Sequence, residues 1–192
     1  MDLGDLSSQA HSYDEGGAYL FYGGANDLTV NGYEINDSSI RVVYSKGDVT
    51  IGGDLKYART YTTYNDLPKL VVYAGGDINI KCSVDRIDGL LIASGKVSTC
   101  SDADASDQND QKRANQLIVN GAIISNSLDA GRTYGAGIGA NSIVPAEIIS
   151  FDPSLHLWVS GSKSTTGGGS GPTVGGAKAL KVTYQKELAP RL

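Results

Sequence analysis

Three stretches of this chain share one layout: VVYSKGDVTI (Val42 to Ile51), VVYAGGDINI (Val71 to Ile80) and LLIASGKVST (Leu90 to Thr99). Each is a β-prone run, a Gly-centred bend and a second β-prone run. LIVNGAIIS (Leu117 to Ser125) reads as a fourth copy with a bend one residue shorter, and LFYGGANDLTV (Leu20 to Val30) as a looser fifth. The bend glycines of the five, Gly24, Gly47, Gly76, Gly95 and Gly121, recur at irregular intervals within the range of solenoid repeats. The runs are short, rich in Val, Ile, Leu and Tyr, and bounded by Gly, Asn and Asp, which is strand chemistry. A bend that needs positive φ, repeated at one height of a stack, favours Gly because it carries no Cβ. The sequence therefore predicts an all-β fold, a β-solenoid (β-helix-like) with Gly-rich bends. A meander, sandwich or barrel of hairpins is the rival, since G-D and N-G also mark hairpin turns.

Composition narrows the classes further. Of 192 residues, 25 are Gly, well above the roughly 7% average, which disfavours a helix bundle. Hydrophobic residues make up 40% and charged ones 19%, enough apolar surface for a core. The net charge of −5 comes without any Lys/Arg cluster to neutralise phosphates, so nucleic acid is not an expected partner. No apolar run approaches the length of a membrane span. Residues 1–17 lack the basic-then-apolar layout of a signal peptide, and the chain reads as a segment of something longer.

The expected organisation is a flexible segment over residues 1–17 and a single β-solenoid domain over 18–192. Residues 101–116 (SDADASDQNDQKRANQ) have no apolar residue larger than Ala and read as a solvated loop. Residues 160–177 have the composition of a Gly/Ser linker. On either side of it, LHLWV (Leu155 to Val159) and ALKVTY (Ala179 to Tyr184) alternate apolar residues, and they are expected to pair as a C-terminal β-hairpin packed on the solenoid.

Four groups of residues bear on chemistry. Cys82 and Cys100 are 18 residues apart, close to the interval between Gly76 and Gly95, so they fall at nearly the same place on successive turns. Strands stacked about 4.8 Å apart lie within disulfide reach. A disulfide is expected, with two separate buried thiols as the alternative, and it would imply an oxidising compartment. Asp48 and Asp77 occupy matching positions after the bend, with Lys96 next in the column and Asp85 and Asp88 close in sequence. Paired carboxylates could serve as acid and base on a polysaccharide, but Gly-Asp is also ordinary turn chemistry. Asp102, Asp104, Asp107 and Asp110 form a weak calcium candidate, because their spacing fails the EF-hand template. Tyr57, Tyr61 and Tyr64 form a candidate contact cluster for sugar or protein, whereas Tyr44 and Tyr73, at matching positions, suit a stacked ladder within the fold. His11 and His156 have no Cys or Ser partner in view, and no nucleophile elbow, zinc-protease or phosphate-loop motif is present.

The segments RIDGLLIASGKVSTC (Arg86 to Cys100), LIVNGAIISNSL (Leu117 to Leu128), GRTYGA (Gly131 to Ala136), PAEIISFDPSLHLW (Pro145 to Trp158) and YQKELAPRL (Tyr184 to Leu192) resemble the C-terminal domain of secreted surface proteins of ultrasmall, host-attached bacteria. The resemblance covers about residues 70–192. More distantly, the ISFDP segment is similar to that of solenoid domains attached to tip-type minor pilins. The resemblance implies an exported, anchored or pilus-associated protein at the cell surface, with a β-solenoid end, no assigned activity and no catalytic residues to carry over. The expected role is non-enzymatic, structural or adhesive, without cofactor. Expected partners are other surface or pilus subunits, a second copy, or a host-surface protein or glycan. A carbohydrate-binding or carbohydrate-cleaving β-helix is the alternative.

Overall fold

The computed structural model describes residues 10–13, 18–23, 26–58, 67–103, 115–133 and 145–156. Fourteen strands account for most of them: β1 (Ala10–Tyr13), β2 (Ala18–Tyr22), β3 (Leu28–Val30), β4 (Tyr33–Ile35), β5 (Ile40–Ser45), β6 (Val49–Ile51), β7 (Leu55–Tyr57), β8 (Lys69–Ala74), β9 (Ile78–Ile80), β10 (Arg86–Ala93), β11 (Lys96–Ser98), β12 (Leu117–Ile124), β13 (Ser127–Asp129) and β14 (Glu147–Phe151). A 3-10 helix follows at Pro153–His156. No described helix is long and apolar enough to cross a membrane.

The fold is all-β, and its strands pair in parallel except for β1, which is antiparallel to β2. The larger sheet runs β1-β2-β5-β8-β10-β12-β14, with β4 on β7 and β7 on β10; the smaller runs β13-β11-β9-β6-β3. Successive repeats lie side by side: Leu20 stands opposite Val42, Val42 opposite Val71, and Val71 opposite Leu90. Alternation then sorts the side chains. In β5 and β8, Arg41, Val43, Ser45, Leu70, Val72 and Ala74 are buried, while their neighbours in sequence are half-exposed. Val49, Ile51, Ile78, Ile80 and Val97 of the smaller sheet meet Phe21, Val43, Val72 and Leu91 of the larger in one apolar core.

Two glycines mark a corner that the repeat pattern did not reveal. In the earlier repeats β4 and β7 are separate from the strands that follow, but β10 serves both roles: Ile87 pairs with Leu55 of β7, and Leu90 onward pairs with β8. The turn between these roles is at Gly89 (φ +136°), where a Cβ would lie 2.6 Å from the Leu70 carbonyl oxygen. Gly121 pairs with Gly89, not with the bend at Gly95, and it is Ala122 that stands opposite Leu90. The last copy of the repeat therefore starts five residues later than the sequence suggested. The sequence does not distinguish the two registers, because both corners carry a glycine between β-prone runs.

Two further expectations are altered. Ala10–Tyr13, within the segment expected to be flexible, pairs antiparallel with β2. The physical reason is that the first parallel strand offers a row of main-chain donors and acceptors to any extended neighbour. Leu155 and His156 lie in the 3-10 helix and not in a strand, because Pro153 presets helical φ and the Leu155 amide donates to the Asp152 carbonyl (3.1 Å). The rest of the expected hairpin, 157–159 and 179–184, lies outside the described residues.

Candidate functional site

The acid column forms as the spacing implied, and its carboxylates hold the backbone. Asp27 Oδ1 accepts the Asp48 amide (3.0 Å), Asp48 Oδ1 accepts the Asp77 amide (2.8 Å), and Asp77 Oδ1 accepts the Lys96 amide (2.9 Å). Each carboxylate thus binds the residue at its own position one repeat on. Parallel bends leave amides that no strand ladder satisfies, and a side-chain acceptor is the local remedy. Acid and base chemistry needs two carboxylates in contrasting surroundings. Asp48 and Asp77 instead repeat the same surroundings.

A second corner follows the same logic. Asp54 Oδ1 accepts the amides of Asp85 (2.7 Å) and Arg86 (3.1 Å), and its Oδ2 lies 3.3 Å from Lys56 Nζ. Burial pushes the Asp54 carboxyl up, but these amides and the ammonium outweigh it and hold it below its ordinary value. Asp85 and Asp88 are not a pair: Asp85 is exposed and Asp88 is buried. Asp88 accepts from Tyr57 N (2.8 Å), Arg86 Nε (2.9 Å) and Asn120 Nδ2 (2.9 Å), tying β7, β10 and β12 together.

Cys82 and Cys100 are disulfide-bonded, with Cα atoms 4.2 Å apart. Such a bond suggests an oxidising, non-cytoplasmic location. The cystine sits in a polar knot. Arg132 is buried and donates from Nε to Thr99 O (2.7 Å), from one terminal nitrogen to Asn115 O (3.2 Å) and from the other to Lys81 O (3.0 Å). Glu147 Oε1 accepts from Thr99 Oγ1 (2.8 Å) and from the Arg132 amide (2.9 Å). Asp102, the first acid of the calcium candidate, accepts the Cys82 amide (2.7 Å) and so belongs to this knot. Asp104, Asp107 and Asp110 lie outside the described residues, and no group of three or more metal-ligating side chains occurs among the described ones.

Of the proposed contact cluster, Tyr61 and Tyr64 lie outside the described residues. Tyr57 is half-buried against the core, and its hydroxyl accepts the Leu70 amide (3.1 Å), so it is a packing residue. Tyr44 and Tyr73 stack, with ring centroids 5.1 Å apart and planes within 10° of parallel. Their register continues on the outer face through Ile92 to Ile124, which is 56% exposed. This strip is an outward-facing row of aromatic and aliphatic side chains. His11 lies in β1 and His156 in the 3-10 helix.

Two buried arginines escaped the sequence reading. Arg41 occupies an inward position of β5, and the phase it shares with Val43 and Ser45 was a legible signal. Arg132 lies in a Gly-rich stretch without periodicity, where nothing in the sequence pointed to burial. No known protein family, characterised protein or solved structure matches this chain.

Proposed function

We propose that the chain is a β-solenoid module of an exported cell-surface or pilus-associated protein, with a structural or adhesive role and no catalytic activity. The observation that carries this reading is the use of the acid column: Asp27, Asp48 and Asp77 each accept the amide of the next repeat. The residues closest to an enzyme's carboxylates are thereby construction elements of a stack. Parallel repeats in register, a buried cystine and the resemblance of residues 70–192 to surface-protein ends support the same conclusion. The contact face is the strip of Tyr44, Tyr73, Ile92 and Ile124, flat enough for a sugar ring or a protein surface.

Adhesion of protein-coated beads to host-cell surfaces and to immobilised glycans tests the proposal, with release of reducing sugar from soluble polysaccharides measured in parallel. Beads carrying the native chain should adhere. Tyr44→Ala with Tyr73→Ala should weaken adhesion, and Asp48→Ala with Asp77→Ala should leave it in place. Polysaccharide cleavage that vanishes with the two aspartates would overturn the proposal in favour of a carbohydrate-cleaving β-helix.

A further inference from the structure

We propose that Asn31, at the corner between β3 and β4, is a site of spontaneous deamidation in the folded chain, and that its isoaspartate product loosens β4. The tripeptide Val-Asn-Gly occurs twice, as Val30-Asn31-Gly32 and as Val119-Asn120-Gly121. A glycine after asparagine leaves its amide nitrogen without a side chain to shield it, so the two pairs have closely similar intrinsic reactivity. The fold treats them differently. Asn31 and Gly32 are both exposed and lie outside any strand, and among the described residues no hydrogen bond engages the Asn31 side chain or the Gly32 amide. Asn120 is half-buried in β12, and its Nδ2 donates to Asp88 Oδ1 (2.9 Å). Gly121 is buried between Gly89 of β10 and Phe151 of β14, so strands on both sides fix its backbone.

The reaction needs only water and is independent of the module's role. The Gly32 amide nitrogen, on losing its proton, attacks Asn31 Cγ. The new N–C bond closes a cyclic imide, the Cγ–Nδ2 bond breaks, and Nδ2 leaves as ammonia with that proton. Water then opens the ring. Attack at Cγ gives aspartate, whereas attack at the main-chain carbonyl of residue 31 gives isoaspartate, whose main chain runs through Cβ and Cγ and is longer by a carbon. Ring closure requires the side chain and the peptide unit after Asn31 to rotate, which an exposed corner allows and a paired strand resists. The longer product has little room. Although Gly32 is exposed, its backbone packs on that of Gly53, where a Cβ would lie 2.7 Å from Gly32 N, and the next amide, of Tyr33, donates to the Asp54 carbonyl (2.7 Å). An added carbon at this point pushes Tyr33 off its partner Leu55 and with it the rest of β4.

Incubation of the full chain in mildly alkaline buffer, with and without urea, tests the assignment, and peptide mass spectrometry localises the exchange of NH2 for OH and separates aspartate from isoaspartate. In the folded chain Asn31 should convert about tenfold faster than Asn120 or more, because Asn120 must first undergo a local opening. In urea the two should convert at similar rates. Equal rates in the folded chain would overturn the proposal. So would an Asn31 that stays intact when folded yet converts in urea, since the corner would then shield it, and a gap that persists in urea would overturn its assignment to the fold. Hydrogen exchange of the isoaspartate fraction, with β8 as an internal reference, reads the second part. The β4 amides should exchange about tenfold faster than in the fresh chain while β8 is unchanged, and unaltered β4 exchange would overturn the loosening.

Discussion

Arg41 stands between Tyr19 and Leu70 in the stack, and it is only 1% exposed. A buried guanidinium is tolerable only with its charge matched and most of its donors used. Asp37 matches the charge and accepts at 2.8 and 3.1 Å from the two terminal nitrogens, Ser39 Oγ accepts a further bond, and the rings of Tyr19 and Tyr33 lie 5.6 and 5.2 Å from the guanidinium carbon, while Nε alone is buried with no hydrogen-bond partner among the described residues. The hydrogen bond from Arg41 holds the Asp37 carboxyl far below its ordinary 3.8, against the opposing effect of burial. Because the folded value lies below the unfolded one, this contribution to stability is complete above about pH 4 and is lost as the pH falls through the folded value. Urea denaturation between about pH 5 and pH 2 should show stability falling, with a shallower fall in Asp37→Asn. Asp88 allows a second test at this scale. Asp88→Ala removes a buried acceptor shared by three donors, two of them half-buried and the third on the exposed Arg86, and should cost about 2 kcal/mol or more, whereas Asp48→Ala removes one amide acceptor near the surface and should cost about 1 kcal/mol. Chemical denaturation of both variants checks the ranking, and equal costs would contradict it.

Among the strands, the bend-and-run repeats were legible because alternation and Gly-Asp bends are local properties, and Val42, Val71 and Leu90 meet as their sequences suggested. The corner at Gly89 and Gly121 was not, since a glycine between two β-prone runs looks the same whether it makes a bend or a turn within a long strand. The structure distinguishes glycines by what a side chain would strike. A Cβ on Gly121 meets the Gly89 carbonyl oxygen, whereas one on Gly52 finds its nearest neighbour, Val30 O, at an ordinary 3.6 Å. Gly121→Ala should therefore destabilise by about 3 kcal/mol or more, and Gly52→Ala should stay within about 0.5 kcal/mol. Thermal melts of the two variants suffice to compare them.

At the scale of the molecule, the cystine closes an 18-residue loop between neighbouring repeats. Replacing both cysteines with serine should lower stability by about 3 kcal/mol, chiefly by freeing the unfolded chain, and urea denaturation measures the loss. Intact mass without reductant should show the native chain two hydrogens lighter than its reduced form. Arg132 adds a different kind of cross-link, because its guanidinium joins the carbonyls of Lys81, Thr99 and Asn115 from three separate segments. Arg132→Met keeps much of the volume but leaves those acceptors without their donor. The loss should exceed 1 kcal/mol even with the disulfide intact, at about the scale of a charged hydrogen bond.

The sequence by itself determined the strand chemistry, the alignment of the repeats that begin at Val42, Val71 and Leu90, the common column of Asp48 and Asp77, and the pairing of Cys82 with Cys100. All of these follow from spacing, and in a stack of parallel repeats spacing along the chain becomes position across the sheet. Tertiary structure alone decided what the acids do, why Tyr57 is packed, where the last repeat begins, and which charges are buried. A carboxylate's role depends on whether an unsatisfied amide or a substrate faces it, and that amide comes from another repeat. Arg41 and Arg132 are buried because Asp37, the Tyr19 and Tyr33 rings and three distant carbonyls converge on them, an arrangement that exists only once the layers have stacked.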